Sequence, residues 1–189
     1  MKKIIISIIA FFAIILILGF LYLQFFKKEK KNLTNEIEPQ ELSQNSNIIE
    51  NVKYSSKDAN GNEYIIKAKQ GEIDIDKSNI IFLKNVSAVV NLKNSNQIFI
   101  FADFGKYNIN NFDTIFSKNV IINYLQNKIK GEYLDFSIAR NSMIISQDVV
   151  YTDAINTLKT DVIEINIDTK DTKFFMYDKN NKVSLKRKN

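Results

Sequence analysis

The sequence predicts an all-β fold: an antiparallel β-jellyroll of two facing sheets with an apolar slot, preceded by a single N-terminal transmembrane helix. Three observations support this prediction. A long uncharged segment opens the chain, short apolar bursts rich in Ile, Val, Phe and Tyr follow about every ten residues, and the bursts belong to an internal repeat. We expect an anchor (1–26), a polar linker (27–50) and a β-domain (51–189).

The anchor is predicted from Ile4 to Phe26, a segment without charged residues. As a helix it would measure about 34 Å, enough to cross a hydrocarbon core of about 30 Å. A cleaved signal peptide is the alternative, but a lysine cluster follows instead of a small-residue cleavage site. A bare count of flanking lysines would place the β-domain in the cytoplasm. Lys is common throughout this chain, so we take the orientation from the nature of the domain instead.

The composition excludes several classes of function. The 189 residues include no Cys and no His, so disulfides, Cys or His metal sites and His-dependent catalytic triads are absent. The five glycines are isolated, which leaves no glycine-rich phosphate loop. The net charge of +5 comes from lysines beside the apolar segment, because residues 32–189 hold 20 basic and 20 acidic residues. We therefore expect no cofactor, no metal, no enzymatic activity and no nucleic acid as partner.

The repeat defines the β-domain. Residues 68–86 and 102–120 match at an offset of 34, residues 131–149 keep the same internal spacing, and a weaker copy begins near Thr160. Each unit is expected to form strand, turn, strand and turn, and Asn60-Gly61 marks a hairpin turn in front of them. Alternation gives both strands of each hairpin an apolar face toward a shared interior.

Small and aromatic residues are mixed on that interior face, which favours an open slot, although a filled sandwich core is the simpler interpretation of any single position. The slot candidates are Ile73, Ile75, Val86, Ala88, Val90, Ile100, Tyr107, Ile109, Val120, Ile122, Tyr124, Phe136, Ile138, Val149, Tyr151 and Ile165.

The order of these motifs resembles the LptC family of lipopolysaccharide export proteins, in the LptA/LptC/OstA-like superfamily. The resemblance rests on the anchor, the linker, the D-x-x-G-x-x-Y hairpin from Asp58 to Tyr64, and the repeated A-x-x-G-x-[IY]-x-I and K-N-V units. One departure is Asp148, at an expected hairpin position where the family often has Gly.

The resemblance implies a single-pass protein of the cell inner membrane with its β-domain in the periplasm. It implies that the domain receives lipopolysaccharide from an inner-membrane ABC transporter and passes it to a periplasmic jellyroll bridge protein, with acyl chains in the slot. It also implies that neighbouring jellyrolls join edge to edge. The residues expected near the two edges are Val52, Tyr54, Phe174, Phe175, Met176 and Tyr177.

Three alternatives stay open. The β-domain could be a membrane-tethered scaffold of a cell-envelope complex with a filled core and no lipid ligand. It could act on glycan through carboxylates such as Asp74 and Asp76, although charges that alternate with inward Ile usually face solvent. At the last edge, Val183 to Leu185 could fold back as a short hairpin and seal the strand around Phe174.

Overall fold

The computed structural model describes residues 46–187, apart from 59–60, 75–77, 94 and 179, and every regular element in this part is a β-strand. β1 begins at Ser46, inside the predicted linker. The strands are β1 (Ser46–Lys57), β2 (Glu63–Asp74), β3 (Ile80–Asn91), β4 (Ile98–Asn108), β5 (Thr114–Tyr124), β6 (Asn127–Ser137), β7 (Ser142–Thr152), β8 (Asn156–Asn166), β9 (Thr172–Phe175) and β10 (Ser184–Arg187).

The predicted anchor from Ile4 to Phe26 lies outside the described residues. Within the described ranges, no helix has the length and apolar character needed to cross a membrane.

The strands form one antiparallel sheet in which each strand from β1 to β8 pairs with the next along the chain. The prediction of two separate facing sheets is therefore wrong in detail, because all the strands belong to one continuous sheet. The sheet curls until its inner face meets itself. The ring centroid of Tyr54 on β1 lies 5.1 Å from that of Tyr107 on β4. The ring centroid of Tyr64 on β2 lies 5.2 Å from that of Phe136 on β6.

The inner face is buried because apolar residues alternate along each strand, but the alternation changes phase in mid-strand. On β3 the buried residues are Ile81 and Leu83 before Asn85, and Val86, Ala88 and Val90 after it. A strand with strict alternation would turn the second set outward. A backbone irregularity at this point keeps both sets on the interior side.

Similar irregularities occur on alternate strands and form a line across the sheet, which we call the crease. On β5 and β7 two residues with positive φ interrupt the register with the neighbouring strand, as in a β-bulge, which sharpens local twist. Asn and Asp tolerate this left-handed conformation better than most residues. The crease residues with positive φ are Asn51 (54°), Asn85 (53°), Lys118 (61°), Asn119 (53°), Gln147 (68°) and Asp148 (53°).

Asp148 therefore lies inside β7 and not in a turn between strands. Its expected place in a hairpin is wrong, because the repeated Asn-Val and Asp-Val pairs mark the crease instead of the turns.

Gly131 on β6 lies beside the crease, where β6 and β7 approach each other closely. A Cβ at this position would lie 2.9 Å from Ile145 Cγ2 and 3.2 Å from the backbone oxygen of Ser146. Ile145 is fully buried, so neither atom can move freely. We expect Gly131→Ala to lower the free energy of unfolding by about 1–3 kcal/mol. Urea unfolding followed by circular dichroism would measure this loss.

Gly71→Ala is the matched control, because its Cβ would meet only the side chains of Val52 and Ile81, at 3.1 Å or more. We expect a smaller loss for this variant. An unfolding midpoint of Gly131→Ala equal to that of the unmodified protein would contradict the close approach of β6 and β7.

Candidate functional site

Part of the interior between the curled walls is filled by large side chains. Tyr64, Tyr107, Phe116 and Phe136 are all buried there. The free space among them is about 10 Å³, hardly enough for one water molecule. This part of the interior is a packed core.

Tyr64 has an unusual environment within that packed core. Its hydroxyl is buried and has no hydrogen-bond partner among the described residues. Burial raises the pKa of Tyr64 from 10.0 to about 12, and the negative charge of Asp58 adds to the rise. The folded state therefore keeps this proton at pH values where the unfolded chain loses it.

This pKa shift predicts a loss of stability in alkali. The contribution of Tyr64 is fully present below about pH 10 and is lost as the pH rises toward about 12. We expect Tyr64→Phe to reduce the alkaline fall in the free energy of unfolding, and to cost little at neutral pH because the buried hydroxyl has no partner. Urea unfolding at a series of pH values would measure both effects. Tyr177→Phe, at an exposed position, is the control, and identical alkaline profiles for all three proteins would contradict the assignment.

The remaining interior contains a cavity of about 330 Å³, within the range of small-molecule sites. Its walls are apolar and come mainly from strands β4 to β8. The wall residues are Leu92, Ile98, Ile122, Ile129, Met143, Ile163, Ile165 and Ile167. Such a surface is suited to a ligand with an extended hydrocarbon part.

One side of the cavity rim is formed by the turn between β8 and β9. Asn166 Oδ1 accepts hydrogen bonds from the backbone nitrogens of Asp168 (3.0 Å) and Thr169 (2.9 Å), which fixes this turn. The Lys170 amine donates a hydrogen bond to the carbonyl oxygen of Ile167. The turn thus holds the buried Ile167 in the wall and the exposed Lys170 at the rim.

The other side of the rim carries neutral polar groups. The Tyr151 hydroxyl donates to Asn127 Oδ1 (3.2 Å), and the Tyr124 hydroxyl shares a hydrogen bond with Ser95 Oγ (3.1 Å). Burial raises the pKa of Tyr151, and Asp153 adds to the rise, so this phenol is neutral at physiological pH. Among the described residues that line the cavity, Lys170 is the one with a charged side chain. The site therefore combines an apolar interior with a cationic group at its edge.

Four of the predicted slot residues line this cavity: Ile122, Tyr124, Tyr151 and Ile165. Most of the others lie in the core outside it, and two are half-buried against that core. The core residues are Val86, Ala88, Val90, Ile100, Tyr107, Val120, Phe136 and Val149, and the half-buried ones are Ile73 and Ile138.

Two predicted slot residues have other outcomes. Ile109 lies in the turn after β4 and is 41% exposed, so its expected place on the inner face is wrong. The strand ends at Asn108, before the alternation reaches Ile109. Ile75 lies outside the described residues.

Sequence reasoning missed part of the cavity wall, including Ile98 and Ile129. Their inward position follows from the same alternation as that of the predicted residues. Ile163 and Ile167 belong to the weakest copy of the repeat, where the alternating isoleucines were the available signal.

The predicted edge residues lie on β1, on β9 and in the segment that follows β9. Val52 is buried on β1, and Tyr54 is half-buried and packs on Tyr107. Phe174 and Phe175 are exposed on β9, and Met176 and Tyr177 follow them.

β9 and β10 share the outer edge of β8. β9 pairs with residues 162–165 and β10 with residues 156–159. The alternative in which Val183 to Leu185 seals β9 is therefore wrong, because β10 pairs with β8 instead.

In the described part of the chain, no group of three or more Asp or Glu side chains could hold a metal ion. The fold and the cavity together define an all-β protein whose single curled sheet encloses an apolar binding space.

The comparison with protein families identifies the chain further. Residues 12–188 match the family model of lipopolysaccharide-assembly, LptC-related proteins. The chain belongs to this family, as its motifs indicated. Membership implies an envelope-associated role in lipopolysaccharide transport, and the family is not known for enzymatic activity. The comparison with curated proteins gave no match.

Proposed function

We propose that this protein is the membrane-anchored component of a lipopolysaccharide transport bridge. It receives lipopolysaccharide from an inner-membrane ABC transporter and passes it to a periplasmic jellyroll protein. The observation that carries the proposal is the apolar cavity of about 330 Å³ in a member of this family.

The cavity would hold acyl chains of the lipid. Transfer of a hydrocarbon chain from water into an apolar wall is favourable by about 25 cal/mol for each Å² buried. The described residues of the walls offer no carboxylate, and the Lys170 amine at the rim would meet the anionic head of such a lipid. The ligand would therefore bind with its chains inward and its charged part near the β8–β9 turn.

In this proposal the segment from Ile4 to Phe26 anchors the chain in the inner membrane, with the β-domain in the periplasm. A topology reporter fused after Asn189 would test the orientation. We expect activity from a reporter that works only in the periplasm. Activity of a reporter that works only in the cytoplasm would overturn the orientation.

The transporter and the bridge protein would meet opposite edges of the sheet. β1 pairs with β2 alone among the described strands, and β9 has no strand on its far side within the described residues. Each edge can accept a strand of another protein through main-chain hydrogen bonds. We assign β1 to the transporter side and β9 to the bridge-protein side.

Photo-crosslinking tests the lipid cavity. A crosslinker at Ile165, on the cavity wall, is expected to capture lipopolysaccharide. The adjacent Glu164 is the matched control, because neighbouring residues of a strand face opposite sides of the sheet. Equal capture at both positions would indicate adsorption to the surface, and no capture at either would favour the scaffold alternative, which the packed core around Phe116 also supports.

A further inference from the structure

The outer face of the sheet carries lysines and aromatic residues in two cross-strand rows, which we call the basic outer face. Strand register brings the members of each row side by side from β1 to β6. The first row is Lys53, Lys67, Ser87, Phe101, Ile121 and Lys130. The second row is Ser55, Ile65, Val89, Phe99, Asn123 and Lys128.

Neither row contains Asp or Glu. The ion pairs among the described residues are Lys57 with Glu63, and Arg140 with Asp113 and Asp135. None of them uses a lysine of the basic outer face. Its positive charge is therefore not neutralised by a neighbouring carboxylate within ion-pair distance in the described part of the chain.

The same face exposes aromatic rings to solvent. Phe99 is 38% exposed and Phe101 is 42% exposed, on the same strand and side of the sheet. Ile65 and Val89 continue the apolar surface beside Phe99. Exposed aromatic residues beside lysines are typical of surfaces that enter the interfacial region of a membrane, where rings reach the headgroup level and amines contact phosphates.

A groove of about 490 Å³ lies at one end of the first row. Lys53, Lys67, Lys69 and Ser87 line it, together with Asn51 and Asn85 of the crease. These side chains offer ammonium, hydroxyl and amide donors to an anion. Carboxylates flank the rows on the outer face. Asp103 and Glu132 lie at the crease, two residues from Phe101 and Lys130, and Asn119 donates hydrogen bonds to both (2.6 and 3.2 Å). Glu63, two residues from Ile65, forms an ion pair with Lys57.

We infer that the basic outer face docks on a membrane surface of anionic lipid. The face combines unpaired positive charge, exposed rings and a groove lined by anion-binding donors, which together match anionic headgroups and the adjacent acyl boundary. In part this inference rests on the proposed anchor. Residues 27–45 connect this anchor to β1 and can span at most about 65 Å, so the anchor would keep the β-domain within that distance of the membrane. Docking does not use the cavity. On β1 it uses the outward side chain of Lys53, whereas a strand of the transporter would pair with the β1 main chain, so docking is compatible with transport.

The absence of Cys from the chain allows a direct test with single-cysteine labels. The full chain carries a fluorophore at Ser87→Cys, between Lys67 and Phe101, or at Asn110→Cys, in the exposed turn at the other end of β4. It is reconstituted in vesicles that contain nitroxide-headgroup lipid, with either neutral phosphatidylcholine or about one-third phosphatidylglycerol. We expect quenching at Ser87 to exceed that at Asn110 about threefold in anionic vesicles, and to fall in high salt.

The double variant Lys67→Gln with Lys130→Gln should lose most of this difference, whereas Lys106→Gln with Lys173→Gln, on the outer face away from the two rows, should keep it. Equal quenching at the two labels, or the same quenching in neutral vesicles, would overturn the inference. Lack of quenching at Ser87 in all vesicles would also overturn it and would leave an acidic protein surface as the occupant. Flotation with neutral vesicles tests the anchor separately from docking. A chain that floats only with anionic vesicles, and whose Ser87 label is quenched there, would refute the anchor and support docking.

Discussion

Ile165→Trp is expected to lower lipopolysaccharide binding about tenfold or more, equivalent to about 1.4 kcal/mol of binding free energy. Ile165 lies on β8, where its half-buried side chain lines the cavity. An indole ring at this position would occupy space that the proposed acyl chains need. Because the cavity is already empty, the larger side chain should be accommodated without the strain that overpacking causes in a filled core.

Equilibrium binding of labelled lipopolysaccharide to the full chain in detergent would measure the effect. Glu164→Trp adds the same ring on the opposite face and should bind normally. Ile165→Val should also bind normally, since it keeps the cavity open. Unchanged binding by a folded Ile165→Trp variant would show that the acyl chains do not occupy this cavity.

Deletion of residues 172–189 is expected to abolish capture of the downstream bridge protein while the rest of the sheet stays folded. The deletion removes β9 and β10, which are short and exposed, and leaves the consecutive pairing from β1 to β8 intact. It also removes two hydrogen bonds that attach this end to β8. They join Thr160 Oγ1 to the Phe175 oxygen (2.8 Å) and the Tyr177 nitrogen to Asp161 Oδ2 (2.8 Å).

Deletion of residues 182–189 is the matched control, because it removes β10 and keeps β9 in place. Pull-down with the purified bridge protein would compare the two truncations, and circular dichroism would confirm that both are folded. We expect the protein that lacks residues 182–189 to capture the bridge protein, and the protein that lacks residues 172–189 to fail to capture it. If the protein without residues 172–189 still captures its partner with unchanged affinity, pairing through β9 is wrong.

Much of the strand pattern could be predicted from the sequence because alternation and repeat spacing are local properties. The crease was not predicted, since a change of phase between Leu83 and Val86 does not weaken the apolar pattern on either side of it. A signal for it existed in the repeated Lys-Asn-Val units. Glu50-Asn51-Val52 belongs to the same series, and Asn is a residue that adopts positive φ readily.

The location of the cavity could not be predicted because it depends on contacts between strands that are not neighbours. The pairing of Tyr64 with Phe136 fills one part of the interior, and this contact follows from how far the sheet curls. Alternation showed that Tyr107 and Tyr124 both face inward, but it does not distinguish the packed core from the cavity wall.

The basic outer face could not be predicted from the sequence for a related reason. Counted along the chain, basic and acidic residues balance over residues 32–189. Strand pairing sorts them into different rows, because Lys67 and Lys130 enter one row while Asp103 and Glu132 enter the adjacent row at the crease, where both accept hydrogen bonds from Asn119. A one-dimensional charge balance does not exclude a charged surface.

The pairing of each strand with its successor has a consequence for how the molecule forms and how it can change. From β1 to β8 the loop-closure entropy of each pair is small, so this part of the sheet can assemble hairpin by hairpin, and a low contact order favours rapid folding. The stability of the stack then combines nearest-neighbour terms between paired strands with contacts across the curl, such as that between Tyr64 and Phe136. A duplicated or deleted unit of 34 residues, the offset between the copies at 68–86 and 102–120, would lengthen or shorten the stack without altering its ends. The length of the stack could therefore evolve by whole repeats, independently of the two strands at its ends.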